Sequence, residues 1–328
     1  MKKHIALLFT VIISLLFTIQ PALGQEQNMK EVSQKIEKLT EGLVGRIGVA
    51  AQEIGGDEVI AVNGDETFAM ASTYKVAIAT TVLDRVDKGE LSLDQMVDVP
   101  QDMYVAGTVA IAERFPYSGV QFSLANLIYA MITESDNTAT DVCLRLAGGP
   151  AAVTENLRRL GIKDFRVDRS VREILMDFYD LPAVTPEAVV EAIGKNPALV
   201  AAQVDPNPDF EADPRDHTTP NAYLKLLLAI EGGKAMSPKS REFLLGVMSR
   251  TRTGAGRLRG MLPKGTPVAH KTGTLGGVAN DVGYITLPDG RRFAIAVFTN
   301  SSKTPDSDRE RAIAEVARAL YDFYYLQS

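Results

Sequence analysis

Ser72 and Lys75 stand three residues apart in Ala71-Ser72-Thr73-Tyr74-Lys75-Val76-Ala77, a stretch that reads as the start of a helix. Residues i and i+3 share a helix face, so the Lys75 amine is expected to reach the Ser72 hydroxyl within one turn. A free serine hydroxyl is a weak nucleophile and needs an adjacent base. Lysine serves as that base when burial or a second cation lowers its pKa. The helix N-terminus adds backbone N–H groups and the positive end of its dipole, which favour an oxyanion formed there. Read alone, the pair is more simply a solvated helix face. The rest of the chain decides between the two.

Other chemistries find little support. The 328 residues carry a net charge of −6 and a pI near 5.3, which argues against a nucleic-acid partner. His4, His217 and His270 are the histidines and Cys143 is the single cysteine, so no cluster has the ligand spacing zinc needs. Neither a metal nor another cofactor is expected. The lone Cys143 excludes an internal disulfide and, within an apolar helical stretch, reads as packing. At 45% hydrophobic and 23% charged residues, the chain suits one or two globular domains. Residues 1–24 read as a cleaved signal peptide: Lys2 and Lys3, an apolar run from Ile5 to Ile19, then Ala22 and Gly24 before polar Gln25. The alternative is an uncleaved anchor, but the run is short for a bilayer and Pro21 interrupts it. The expectation is a periplasmic or secreted monomer with no stable membrane anchor.

The elements that must hold Ser72 and Lys75 follow from periodicity. Val32, Ile36, Leu39 and Leu43 mark an amphipathic first helix. Ile47 to Ile54 and Glu58 to Asn63 read as a hairpin turning at Gly55-Gly56-Asp57. The Ser72 helix runs to Lys88-Gly89, and from there to about Asn221 the pattern is almost entirely helical. Strands return at Val268 to Thr274, Val282 to Leu287 and Arg292 to Thr299, before a last helix from Asp306 to about Tyr324. The fold class expected is α/β plus all-α: an antiparallel sheet flanked by N- and C-terminal helices, with an inserted helical domain. Residues 25–66 and 224–328 would form the α/β part, and 67–223 the helical part, including an extended loop at 170–217. A site between the two is the default expectation.

Three short motifs occur in order: Ser72-x-x-Lys75, Ser135-Asp136-Asn137 and Lys271-Thr272-Gly273. Together they resemble the motif set of class A β-lactamases and penicillin-binding proteins. Met131 to Thr140, Gly148 to Thr154 and Thr253 to Arg259 are similar to class A segments as well, and the resemblance covers most of the mature chain. It implies a serine β-lactamase acting on a small-molecule β-lactam. Ser72 would be the acylated nucleophile and Lys75 its proton partner. Ser135 would pass a proton to the leaving nitrogen, and Asn137 would hold the substrate's acylamide side chain. Lys271 and Thr272, with Gly273 beside them, would bind the substrate carboxylate. The backbone N–H groups of Ser72 and Thr274 would form the oxyanion hole. Arg252 matches a second carboxylate-binding cation, or else belongs to a solvated basic face with Arg250, Arg257 and Arg259. Tyr104 would wall the cleft or pack in the core.

The resemblance weakens between Ser170 and Pro214, where extra sequence precedes Asp216-His217-Thr218-Thr219-Pro220. That sequence includes a helix expected to open at Thr185, with Pro186 at its first position, and an irregular loop at Asp205 to Asp209. Class A members carry a deacylating glutamate in an Arg-x-Glu element, and here Arg169 is followed by Ser170 and Val171. Valine accepts no proton. Either a bulge brings Glu173, or an inserted carboxylate such as Glu187 or Glu211, beneath Ser72, or no base exists and the acyl-enzyme is long-lived. The rival activities are a penicillin-binding-protein-like carboxypeptidase or acyltransferase, and a non-hydrolysing binder of β-lactams or wall fragments.

Overall fold

The computed structural model describes residues 27–107 and 111–327, and the leader read at 1–24 lies outside the described residues. Helix α1 (27–40) turns Val32 and Ile36 onto the sheet. Strand β1 (Arg46–Glu53) and β2 (Ile60–Val62) form the expected hairpin. After β3 (Phe68–Ala69), a 3-10 turn at Ala71–Tyr74 runs straight into α2 (Lys75–Asp87). The chain continues through β4 (Met96–Asp98), α3 (Ile111–Arg114), β5 (Gln121–Ser123) and α4 (Leu124–Tyr129). Next come α5 (Asn137–Ala147), α6 (Pro150–Arg159), α7 (Val171–Tyr179), α8 (Pro186–Lys195) and α9 (Pro208–Ala212). Then β6 (His217–Thr218), α10 (Pro220–Glu231) and α11 (Pro238–Met248) lead into β7 (Val268–Leu275), β8 (Val278–Thr286), β9 (Arg292–Asn300) and α12 (Asp306–Leu326).

Five strands pair antiparallel in the order β2-β1-β9-β8-β7, leaving β7 on an edge. Alternation divides their side chains between two cores. Val49, Ile295 and Val297 face α1 and α12, where Ile313, Val316 and Leu320 meet them. Ala296, Phe298 and Tyr284 face the opposite side, towards Tyr223 and Leu227 of α10. That second core runs on without a break through the helical region. Helix α2 lies at its centre, buried from Lys75 to Leu83.

Two expectations change. The region after Gly89 is not purely helical: β4 pairs with β5, and β3 pairs with β6 to tie the two ends of the helical region together. Strands of two or three residues are too short to print an alternating pattern. The stretch 170–217, expected as an extended loop carrying one helix from Thr185, holds that helix as α8 and in addition α7, a 3-10 helix at Pro197–Gln203 and α9. Local chemistry accounts for these helices. Thr185 before Pro186 and Asn207 before Pro208 each accept the backbone N–H three residues on, as do Thr219 before Pro220 and Ser237 before Pro238. A capping oxygen followed by proline at the first helical position satisfies one orphan donor and removes another.

Candidate active site

The end of the π-helical turn Ala130–Glu134 and the start of α5 deliver Ser135 and Asn137 against the first turn of α2. Ala71 and Ser135 both adopt positive φ, +45° and +59°, a conformation that costs on the order of 1–3 kcal/mol for a residue with a side chain. The strain lies on either side of one cluster. Lys75 Nζ donates to the Ser135 carbonyl at 2.8 Å and to Asn137 Oδ1 at 2.9 Å, and lies 3.3 Å from Ser135 Oγ. Lys271 Nζ donates to the same Ser135 Oγ at 3.0 Å and to the Thr272 carbonyl at 2.7 Å. One hydroxyl thus links two amines, both without solvent exposure. Burial lowers Lys75 to about 7, against the opposing pull of Asp136 and Asp141. Burial, then the charge of Lys75, holds Lys271 well below the usual lysine range.

Ser72 is half-buried and lines a cavity together with Asn137 and Thr274. The Lys75 amine does not donate to Ser72 Oγ, as the helical spacing leads one to expect; its bonds go to Ser135 and Asn137. Asn137 accepts from Lys75 through Oδ1, and its Nδ2 donates to the Ala106 carbonyl at 2.8 Å.

Edge strand β7 runs beside the Ser72 turn. A Cβ at Gly273 would lie 2.5 Å from the Met70 carbonyl, so only glycine permits this approach. Thr274 is exposed to the cavity, while Thr272 is buried and hydrogen-bonded to Thr253. Arg257 is a contributor that sequence reasoning passed over as one of four nearby arginines. It is buried behind β7 and donates to the Gly273 carbonyl at 2.9 Å and Thr274 Oγ1 at 2.8 Å. Arg252, in contrast, is exposed and paired with Glu134, and does not line the cavity. Tyr104 does not wall it either. Its ring is buried in the core and its hydroxyl donates to the Phe115 carbonyl at 2.6 Å.

The carboxylates named as candidate bases lie away from the cavity. Glu173 is exposed and does not line the cavity; its Oε2 accepts from Ser170 N at 2.7 Å and Ser170 Oγ at 2.8 Å. This is a capping box closing the first turn of α7, and Ser170-x-x-Glu173 is its sequence signature. Glu187 is exposed on α8, and Glu211 bonds Ser301; neither lines the cavity. Val171, a buried residue of the cavity lining, stands where the deacylating glutamate was expected. Asp141 lies behind it, accepting from the backbone N–H of Val171 at 2.7 Å and of Arg172 at 3.1 Å. Burial raises Asp141 to about 6. The lining carboxylates are Asp136, with oxygens accepting from Ile111 N and Ala139 N, and the exposed Glu113. Among the described residues no group of three or more histidine, cysteine or acidic side chains is arranged to hold a metal, and no helix is long and apolar enough to cross a membrane.

The beta-lactamase enzyme family is matched by residues 31–324. Beta-lactamase VEB-1 of Pseudomonas aeruginosa is 31% identical, over 98% of this chain and 99% of its own length. The extended-spectrum beta-lactamase PER-1 of Pseudomonas aeruginosa is 31% identical, over 89% of this chain and 87% of its own. A crystal structure of a beta-lactamase from Chitinophaga pinensis superposes with a TM-score of 0.73 at 32% identity, covering 89% of this chain and 98% of that one.

Proposed function

The chain belongs to the beta-lactamase enzyme family, and on that footing we propose that it opens β-lactam amides through a Ser72 acyl-enzyme that water releases slowly. The observation that carries this reading is the convergence of Lys75 and Lys271 on the Ser135 hydroxyl, beside a serine at the mouth of a cavity. Neutral Lys75 takes the Ser72 proton as Oγ attacks the carbonyl carbon. The C–N bond breaks, and the nitrogen receives a proton through Ser135. The ring keeps the nitrogen tethered, so the whole compound stays on the enzyme. An anionic substrate favours the ammonium form of Lys271, and Thr272 and Thr274 belong to the same carboxylate subsite. Backbone N–H groups of Ser72 and Thr274 stabilise the oxyanion.

Slow release is supported by Val171 in the cavity wall and by Glu173 serving as a helix cap. Loss of a general base costs on the order of 10²–10⁴ in rate. The same observation favours a second reading, in which the acyl group passes to a peptidoglycan amine or is simply retained. The proposal includes a periplasmic or secreted location after cleavage at Gly24, action as a monomer, and the division into an α/β part and an inserted helical part. Rapid-quench kinetics with a chromogenic cephalosporin test it. The expected record is a burst of about one equivalent, then a slow steady state. Fast linear turnover with no burst contradicts slow release. Cleavage of a D-alanyl-D-alanine peptide that outpaces β-lactam turnover favours the second reading.

A further inference from the structure

Strand β7 carries a second polar pair behind Lys271. His270 Nδ1 lies 2.8 Å from both oxygens of Asp281, and neither residue has any solvent exposure. Asp281 stands opposite Thr272 in the β7–β8 register. Its Oδ2 also accepts the backbone N–H of Leu258 at 3.2 Å. Side chains alternate along a strand, so His270, Thr272 and Asp281 share one sheet face and Lys271 takes the other. One layer of backbone separates the pair from the Lys271 side chain, which is equally buried. In such dry surroundings a charge is felt across that layer far more strongly than in water.

The tautomer of His270 decides what charge the pair carries. Its Nε2 is buried and has no hydrogen-bond partner among the described residues. An imidazolium would leave a charged N–H there without an acceptor, a heavier loss than the bare lone pair of a neutral ring. Nδ1–H therefore donates to Asp281, and the carboxylate keeps its charge. Of the charges that act on Lys271, Lys75 and Arg257 disfavour its ammonium form and Asp281 favours it. The other acids nearby are engaged: Glu134 with Arg252, Glu310 with Arg257, and Asp136 with the N–H groups of Ile111 and Ala139. We infer that Asp281, held by His270, is the fixed counter-charge that lets Lys271 meet a substrate carboxylate as an ammonium, so that this pair sets the preference for anionic substrates. It acts through Lys271 and touches no substrate itself. The inference rests on the acyl-enzyme reading and adds to it a specificity determinant outside the three motifs.

Benzylpenicillin and its uncharged methyl ester test this. Each competes with a fluorescent penicillin for labelling of the full chain. The readout is the acid-to-ester ratio of acylation efficiencies, from which any loss of folded protein cancels. Asp281→Asn keeps the shape and an oxygen for the Leu258 N–H but removes the charge. It should lower the ratio about tenfold, as expected when an opposite charge is taken from behind a buried amine. His270→Asn offers Asp281 an amide N–H in place of Nδ1–H and leaves the charge, so the ratio should stay within about twofold of the wild type. An unchanged ratio in Asp281→Asn, with acid and ester falling together, makes the pair a brace of the sheet and overturns the inference. A ratio that falls as far in His270→Asn as in Asp281→Asn also overturns it, because geometry and not charge is then responsible. Both results leave the acyl-enzyme reading standing. If neither compound labels Ser72 in the wild type, that reading fails and takes the inference with it.

Discussion

Lys75 and Lys271 share one hydroxyl in a dry cluster, and two ammonium groups so close repel strongly. The cluster therefore favours the neutral form of at least one amine. With Lys75 near 7, its base form grows as pH rises through that value. The acylation rate should rise with pH across the unit on either side of 7 and then level off, as read by stopped-flow with a saturating β-lactam; a flat profile contradicts Lys75 as the base. Glu173 supplies the complementary test. Glutamine can still accept the Ser170 bonds, so Glu173→Gln should leave turnover unchanged in steady-state assays. A loss on the order of 10²–10⁴ would return Glu173 to the catalytic machinery. At this scale the sequence was readable where a motif carries geometry with it. Ser135, Asn137 and Lys271 meet Lys75 in one cluster. Arg252 and Tyr104 lay outside any motif. Their types suit a cleft, but their surroundings direct one to Glu134 and the other to the core.

Helices α7 to α9 are fastened to the body through Arg169, whose Nε donates to Asp216 at 2.6 Å and whose Nη1 reaches Asp177 at 2.7 Å. Asp216 also accepts the backbone N–H groups of Asp168 and Arg169. Residues 168–169 and 213–216 are thus clamped together by a guanidinium that is only 3% exposed and stacks 5.0 Å from the Phe210 ring centre. Removing one partner of a buried ion pair leaves an uncompensated charge and costs about 3–5 kcal/mol. Arg169→Ala should lower the stability by about that amount in urea denaturation, with proteolytic cleavage appearing first between α7 and α9; unchanged stability contradicts the clamp. Strand β8 shows why element boundaries were less readable than element types. It begins at Val278 rather than Val282, because Asn280 and Asp281 look unlike strand interior. Both are nonetheless buried. Asn280 Nδ2 holds the Ala69 and Met70 carbonyls and Asp281 pairs with His270, so the polarity is satisfied from neighbouring segments that a linear reading does not see.

Across the whole molecule, the sheet edge and the helical region meet at Ser72, with β7 on one side and α5 and α7 on the other. The strands at both chain ends and the helices between them were legible from periodicity. The cavity was not, because its wall is assembled from short segments far apart in the chain, around Ser72, Val105, Asn137, Val171 to Gln203 and Thr274. On the proposed reading, Ser72 is acylated while no carboxylate is placed to activate the water that would release the product. Intact-mass spectrometry after brief exposure to a penicillin, with excess drug then removed, tests that claim most directly. The predicted result is a gain equal to the mass of the entire compound, slow to decay, and absent from Ser72→Ala. Unchanged mass with unconsumed drug, or an adduct that survives Ser72→Ala, would contradict it.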